Sequence, residues 1–364
     1  MAEMRKFGDF ATFKYGKMPD KKKLTETGKY PVYSGYRYVG YYDEYNTEAN
    51  QIIVVARGVG GTGDVKLTKE RCYLTNLSIS ADIDENIALP EFVYYYYLPR
   101  NLRYLDSGSA QSQITISDLE KVIIPLPSLA EQRAICGYMK MLDRKIEINE
   151  EVNENLLQQA GAIFNKFYDE SSNQQPFTSL IDVLGGGTPK TGNPDFWNGP
   201  IPFFTPKDVA TPYTFQTEKY ITESGLTHCN SRLYQKDTTF VTARGTVGKV
   251  SLAGTPMAMN QSCYALASET VHPLLVYFYV LKAVASLKHK ASGAVFDAIV
   301  TRDFDGETIN VLSDDDAKSV LAIIKPMMEA IHNNSEENIR LAALRDSLLP
   351  RLMSGELNVS DIDL

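Results

Sequence analysis

With 364 residues, of which 43% are hydrophobic and 23% charged, the chain is long enough for two domains with real cores, and the prior of a single small module is excluded. The net charge of −8 is unevenly placed. Residues 1–127 hold 16 Lys+Arg against 16 Asp+Glu and residues 171–312 hold 11 against 11, while 128–170 (5 against 8) and 313–364 (5 against 10) carry the acid. General phosphate affinity is therefore small, and if the chain meets DNA a partner is expected to supply much of the grip. The start, MAEMRKFGDF, has no apolar signal region and no run reaches transmembrane length, so a cytoplasmic protein with no membrane contact is expected. Cys72, Cys136, Cys229 and Cys263 are scattered without CxxC spacing and read as reduced thiols.

In chain order, the lysine-rich MPDKKKLTETGK reads as an exposed loop. It is followed by seven tyrosines within residues 30–45, interleaved with Gly35 and Gly40, a pattern that suits twisted strands and turns. Tyrosine also stacks on bases or bonds phosphates, so Tyr33, Tyr36 and Arg37 are candidate contacts; core packing takes most of the others. In QIIVVARGVGGTGDVKL, Ile52–Val55 predicts a buried strand. The glycines from Gly58 to Gly63 formally match the dinucleotide fingerprint, but that motif needs a helix next, and DVKLTKERCYL alternates like a strand. The second half repeats the arrangement in TTFVTARGTVGKVSLAG: strand, then Arg57 or Arg244, then a glycine turn, then strand. An arginine on such a hairpin reads guanine, holds a phosphate or closes a structural ion pair. Further on, YLTNLSISAD matches MAMNQSCYAL, bringing Asn76 near Asn260. PEFVYYYYL and PLLVYFYVL predict helices with proline in the first turn. The polar loop Ser109 to Gln113, whose counterpart is Ala294 to Ala298, lies between elements and can face a ligand.

A long helix is predicted over Glu131–Tyr168, with a seam at Ile135, Met139, Leu142, Ile146, Asn149, Asn153, Leu156, Ala160, Ile163 and Phe167, spaced alternately by four and three as in a coiled coil. At 1.5 Å per residue it is about 57 Å long. After the polar linker DESSNQQP comes GGGTPKTGNPDFWNGPIPFFTPKDV, rich in turn residues and holding Trp197. Lys190, Thr205, Lys207 and Asp208 bracket an apolar strand there, as a presented surface would. The C-terminal run then repeats the first seam at a shift of 185 residues: Val320, Ile324, Met327, Ile331, Asn334, Asn338, Leu341, Arg345, Leu348 and Leu352. Pairing the two copies antiparallel sets Asn149 against Asn338 and Asn153 against Asn334, so each buried amide meets another amide. Two residues fit poorly. Arg345 falls on the seam opposite Leu142 and is expected to snorkel, and Pro326 is expected to kink the second helix or restart it near Lys325.

Reaction machinery is missing from the sequence. There is no GxxxxGK[ST] phosphate loop, no NPPY-like box for adenine methylation, no HExxH and no GxSxG, and His228, His272, His289 and His332 are scattered. No catalytic residues, metal or cofactor are therefore expected, and a duplicated chain of this kind reads as a binder.

PLPSLAEQRAI before a long helix, GGTPKTGNPDFWNGPIPFFTPKDV, ARGTVGKV with MNQSCYAL, and the ending SLLPRLMSGEL together resemble the specificity subunit of type I restriction–modification systems. The resemblance covers essentially the whole chain, though the first half carries the TP…W…G pattern poorly. It implies an α+β fold in which two β-rich target recognition domains, residues 1–127 and 171–312, are related by an internal pseudo-twofold repeat. Two long helices, 128–170 and 313–364, would form an antiparallel coiled coil between them. Each domain would read one half of a bipartite double-stranded DNA target. The helices would set the gap, ample for one DNA turn of about 35 Å, and dock two adenine methyltransferase (M) subunits, with restriction/translocase (R) subunits completing the enzyme. Candidate DNA contacts are Tyr33, Arg37, Arg57, Asn76, Gln111 and Gln113 in the first domain and Lys190, Thr205, Lys207, Arg244, Lys249 and Gln261 in the second. The competing class is a non-DNA interaction protein with two β-rich modules on a coiled-coil spacer, which neutral charge and tyrosine richness allow. A nucleotide-binding enzyme, through the glycine run, is a third.

Overall fold

Ile52–Val55 is buried at every position, as a run of β-branched residues covered on both faces must be, and it forms an interior strand. A computed structural model describes residues 2–35, 37–58, 61–106, 113–290 and 298–361. The chain divides into two compact units, Met1–Ile146 with Arg340–Leu364, and Glu147–Ile339.

The first unit contains β1 (Glu3–Lys6), β2 (Ala11–Tyr15), β3 (Tyr30–Ser34), β4 (Arg37–Tyr42), β5 (Ile52–Val55), β6 (Val65–Leu67), β7 (Tyr73–Leu74) and β8 (Ser78–Ile83). Helix α1 (Pro90–Tyr97), the short α2 (Ile116–Leu119) and β9 (Ile123–Leu126) follow, and then the start of α3 (Leu129–Glu170). One sheet has the order β2-β8-β5-β6, a second β4-β3-β7 with β3 and β7 parallel, and β1 pairs with β9. Because β5 and β6 pair antiparallel, Ile52 opposite Leu67, the glycine run lies in a hairpin connection, and no helix follows it as a dinucleotide site requires.

The second unit contains the rest of α3 and then β10 (Gln174–Pro176), β11 (Asp182–Gly185), β12 (Trp197–Phe204), β13 (Tyr213–Thr214), β14 (Tyr220–Ile221), α4 (Glu223–Thr227), β15 (Thr239–Thr242), β16 (Val250–Ala253), β17 (Ala258–Met259) and β18 (Cys263–Ala267). Helix α5 (Pro273–Lys290), α6 (Thr301–Asp305), β19 (Thr308–Asn310) and the first part of α7 (Asp314–Ser354) complete it. Its sheets run β11-β18-β15-β16-β13 and β14-β12-β17, again with the last pair parallel, and β10 pairs with β19.

Strand for strand this is the first unit's pattern with β13 added, and the backbone bonds repeat. Phe7 N donates to Val122 O (2.7 Å) as Phe177 N donates to Glu307 O (2.9 Å). Ala56 N donates to Leu77 O (2.9 Å) as Ala243 N does to Ser262 O (2.8 Å). The second match makes Gln261 the counterpart of Asn76, one residue beyond the Asn260 that sequence comparison aligned with it.

Both long helices start with a serine cap. Ser128 and Glu131 bond reciprocally (Ser128 N to Glu131 Oε2 2.9 Å, Glu131 N to Ser128 Oγ 3.3 Å), and Ser313 Oγ accepts from Asp316 N (3.2 Å). Gln132, fully buried in the first unit, accepts from Leu89 N (2.9 Å) and donates to Pro127 O (2.9 Å), tying the start of α3 to the loop before α1. The expected break at Pro326 does not occur: α7 is one helix through it. Pro326 and Ala322 are both exposed, so the carbonyl that proline leaves without a donor has access to water.

The helix segments run antiparallel within each unit. In the second, Asn149 Nδ2 donates to Asn338 Oδ1 (2.8 Å) and Glu337 (2.7 Å), and Asn334 Nδ2 donates to Asn153 Oδ1 (2.9 Å). Met328 is fully buried there where the seam placed Met327, and Phe164 where it placed Ile163, because a straight 3.6-residue helix drifts away from a strict 3.5 repeat. In the first unit, Ile135, Cys136 and Met139 share a core with Leu348, Leu349 and Leu352. Arg345 does not snorkel. Its guanidinium is held at 2.8 Å by Asp143, which also accepts from Tyr95 Oη at 2.7 Å, so the cation meets a counter-ion on the facing helix segment. Among the described residues no helix is long and apolar enough to cross a membrane, and no His/Cys/Asp/Glu group is arranged to hold a metal.

Candidate nucleic-acid interface

In the second unit four loops meet: residues 186–190 after β11, 205–208 after β12, 243–249 between β15 and β16, and 260–262 between β17 and β18. Gly187 N donates to Met259 O (3.1 Å), Asn260 N to Phe204 O (3.0 Å), and Thr246 Oγ1 to Pro206 O (3.3 Å). A Cβ on Gly186 would stand 2.1 Å from Asn260 O, so only glycine permits that approach.

Thr205, Lys207, Arg244 and Gln261 are thus brought together. The Asp208 carboxylate accepts from Thr205 N (2.8 Å), Thr205 Oγ1 (2.6 Å) and Glu218 N (2.7 Å), which rigidifies the turn and commits the Thr205 donor. Lys207 is exposed and 3.7 Å from Glu218, a pairing that water weakens. Gln261 bonds the Thr188 hydroxyl. Arg244 is exposed, bridged through its backbone to Ala298, and has no carboxylate partner among the described residues, so the structural ion-pair reading has no counter-ion there. Lys249 is exposed at the foot of β16, its amide held by Thr242 Oγ1 (2.9 Å). Lys190 is exposed on the first loop, and its carbonyl accepts from the Trp197 indole (3.3 Å), so the lone tryptophan serves to shape the loop. Lys288 is missing from the sequence-level candidates. It donates from the last turn of α5 to Gly248 O (2.6 Å), and no local pattern links it to a glycine 40 residues away.

The first unit builds the same junction. Lys17 N donates to Leu74 O (3.0 Å), Thr75 N to Tyr33 O (3.0 Å), Arg57 N to Leu77 O (3.2 Å) and Ile114 N to Ala56 O (3.0 Å). A Cβ on Gly16 would lie 2.2 Å from Thr75 O, as on Gly186 in the second unit. Arg57, Asn76 and Gln113 are half-buried and share these loops; Gln111 and Tyr36 lie outside the described residues. Arg57 Nε is buried without a hydrogen-bond acceptor. Arg37 is exposed where β3 turns into β4, opposite Ser34. The Tyr33 ring packs on Ile53, Cys72 and Leu74 and lines a cavity of about 290 Å³ with Lys66 and Lys69, and burial pushes its phenol pKa upward. Its ring is therefore spent largely on packing. The Cys72, Cys136 and Cys263 thiols are pushed up to about 12 by burial, which removes them as nucleophiles.

This is a site of donors, with two arginines on matching hairpins, lysines and carboxamides, and it suits hydrogen bonding to acceptor-rich edges and anions. A family model described as the type I restriction modification DNA specificity domain matches residues 2–158 and again 176–341. The type I restriction enzyme MjaIX specificity subunit of Methanocaldococcus jannaschii is 28% identical over 163 residues, covering 43% of this chain and 38% of that protein. The EcoR124I/EcoR124II specificity subunit of Escherichia coli is 25% identical over 220 residues, 56% of this chain and 53% of that protein. These matches span about half or less of the relatives' length. The crystal structure of the type I restriction–modification S subunit from M. genitalium superimposes with a TM-score of 0.63 at 18% identity over 96% of this chain and 95% of that one, a shared fold.

Proposed function

The chain belongs to the type I restriction–modification DNA specificity family, and we propose that it is the subunit selecting the DNA sequence on which such an enzyme acts. Residues 1–127 and 171–312 each read one half of a split target. Helices 128–170 and 313–364 set the gap between the halves and dock two adenine methyltransferase subunits, and restriction/translocase subunits join that core. The chain contributes recognition and no chemistry of its own, in the cytoplasm where the DNA is.

The observation that carries this reading is the duplicated junction, with Arg57 and Arg244 on equivalent hairpins and neither paired to a carboxylate among the described residues. A guanidinium suits the O6 and N7 acceptors of guanine, worth about 1–3 kcal/mol of discrimination per bidentate pair. Lysines on neighbouring loops suit phosphates, which position the protein without reading sequence.

The test is long-read mapping of N6-methyladenine in host DNA with and without this chain beside its methyltransferase subunit. A gapped, two-part motif that vanishes with the chain is expected; assembly without any chain-dependent motif or DNA binding would overturn the reading. Arg244→Ala should relax one half of the motif only, and equal loss in both halves would refute its assignment to the second half-site.

A further inference from the structure

The β5–β6 and β15–β16 hairpins superpose residue by residue through their backbone bonds. Gly63 N donates to Val55 O (2.9 Å) as Gly248 N donates to Thr242 O (2.8 Å). Val55 N donates to Asp64 O (2.9 Å) as Thr242 N donates to Lys249 O (3.0 Å). Gly63 and Gly248 therefore occupy one position, both with positive φ (91° and 72°), and Asp64 stands where the second unit has Lys249.

What holds that glycine carbonyl differs. Gly63 O accepts from a backbone amide, Leu102 N, at 2.8 Å. Gly248 O accepts from the Lys288 ammonium at 2.6 Å. An ammonium has three donors, and the carbonyl uses one. Lys288 and Lys249 lie close enough that each disfavours the other's charge; burial first, and then the Lys249 ammonium, lower the Lys288 pKa. Among the described residues neither has a carboxylate partner, although nearby Lys290 is paired with Glu307 at 2.6 Å. Two adjacent cations that repel each other, with donors to spare, on the hairpin that carries Arg244, form a site that an anion would stabilise.

We propose that Lys249 and Lys288 form a clamp for a backbone phosphate of duplex DNA on the β15–β16 hairpin, and that the first unit, with Asp64 and a backbone amide in their places, has no such clamp. The proposal rests on the DNA-reading function above and adds an asymmetry to it. One half-site is gripped by the phosphate beside its reading arginine and the other is not.

The test is the salt dependence of binding by the full chain assembled with its methyltransferase subunits, using a duplex that carries the mapped motif and one of unrelated sequence. Lys249→Gln and Lys288→Met should each lower the slope of log Kd against log salt by about 0.9 on both duplexes, with sequence preference unchanged. Lys288→Arg should keep the wild-type slope, and Asp64→Lys should raise it by about 0.9. An unchanged slope in Lys249→Gln at wild-type melting temperature overturns the clamp, as does a loss of sequence preference instead of uniform weakening. Should Lys288→Met not fold, Lys249→Gln and Asp64→Lys decide the matter alone. A wild-type complex that binds neither duplex would instead remove the DNA-reading function, and the clamp with it.

Discussion

The two hairpins that carry Arg57 and Arg244 share every backbone bond that shapes them and differ in what stands beside the arginine. In the first unit the neighbour is Asp64, in the second Lys249 with Lys288 behind it. A module of this kind is specified by main-chain hydrogen bonding and a few obligatory glycines, which leaves the loop side chains free to diverge. The same backbone thus presents two chemically different surfaces, as a protein that reads two unlike half-sites requires.

The comparison can be broken where it is strongest, in the shared core. Phe7 and Phe177 are both fully buried, and each follows the first strand of its unit. Phe7→Ala and Phe177→Ala should each cost about 3–5 kcal/mol in urea unfolding; a near-neutral result at either would show that the two modules are not packed alike. The equivalent glycines should respond unequally. Gly63→Ala drives a Cβ to 2.4 Å from Arg103 N, a backbone atom, whereas at Gly248 it meets the flexible end of Lys288 at 2.4 Å. Both carry the positive-φ cost of about 1–2 kcal/mol, and Gly63→Ala should exceed Gly248→Ala by about 1 kcal/mol or more in melting experiments. Equal losses would mean that Leu102 and Arg103 yield as readily as a lysine side chain.

A smaller effect separates the polar layers of the helices, amide pairs in the second unit and the Asp143–Arg345 pair in the first. Asn149→Leu strands the Asn338 amide and should cost about 1–3 kcal/mol, and adding Asn338→Leu should recover part of it. A double variant no better than the single would show that the amide pair is not the source. Least in energy is thiol accessibility. With Cys72, Cys136 and Cys263 buried and their pKa values pushed up to about 12, iodoacetamide at pH 8 should modify half-buried Cys229 first, read by peptide mass. Prior labelling at Cys72 would show that the first unit opens around its small cavity.

Much of the fold was legible because its signals are one-dimensional. The repeat at 185 residues, the seam with paired asparagines and the hairpin reading of the glycine run depend on local period and self-similarity, and these survive in any register of text. The burial of Met328 in place of Met327 and the straight passage through Pro326 were not, since they depend on helix drift and on which face meets water. At the candidate site, Arg57, Arg244 and Gln261 stood out by chemistry on predicted loops. Tyr33 looked like a stacking platform, but its ring faces Ile53, Cys72 and Leu74. By itself, then, the sequence determined two β-rich modules, two long helices and the polar layers that pair them. Only the tertiary structure decided which loops meet and which lysine stands behind the Arg244 hairpin. The orders β2-β8-β5-β6 and β11-β18-β15-β16-β13 join strands far apart in the chain, and no local period encodes such pairing.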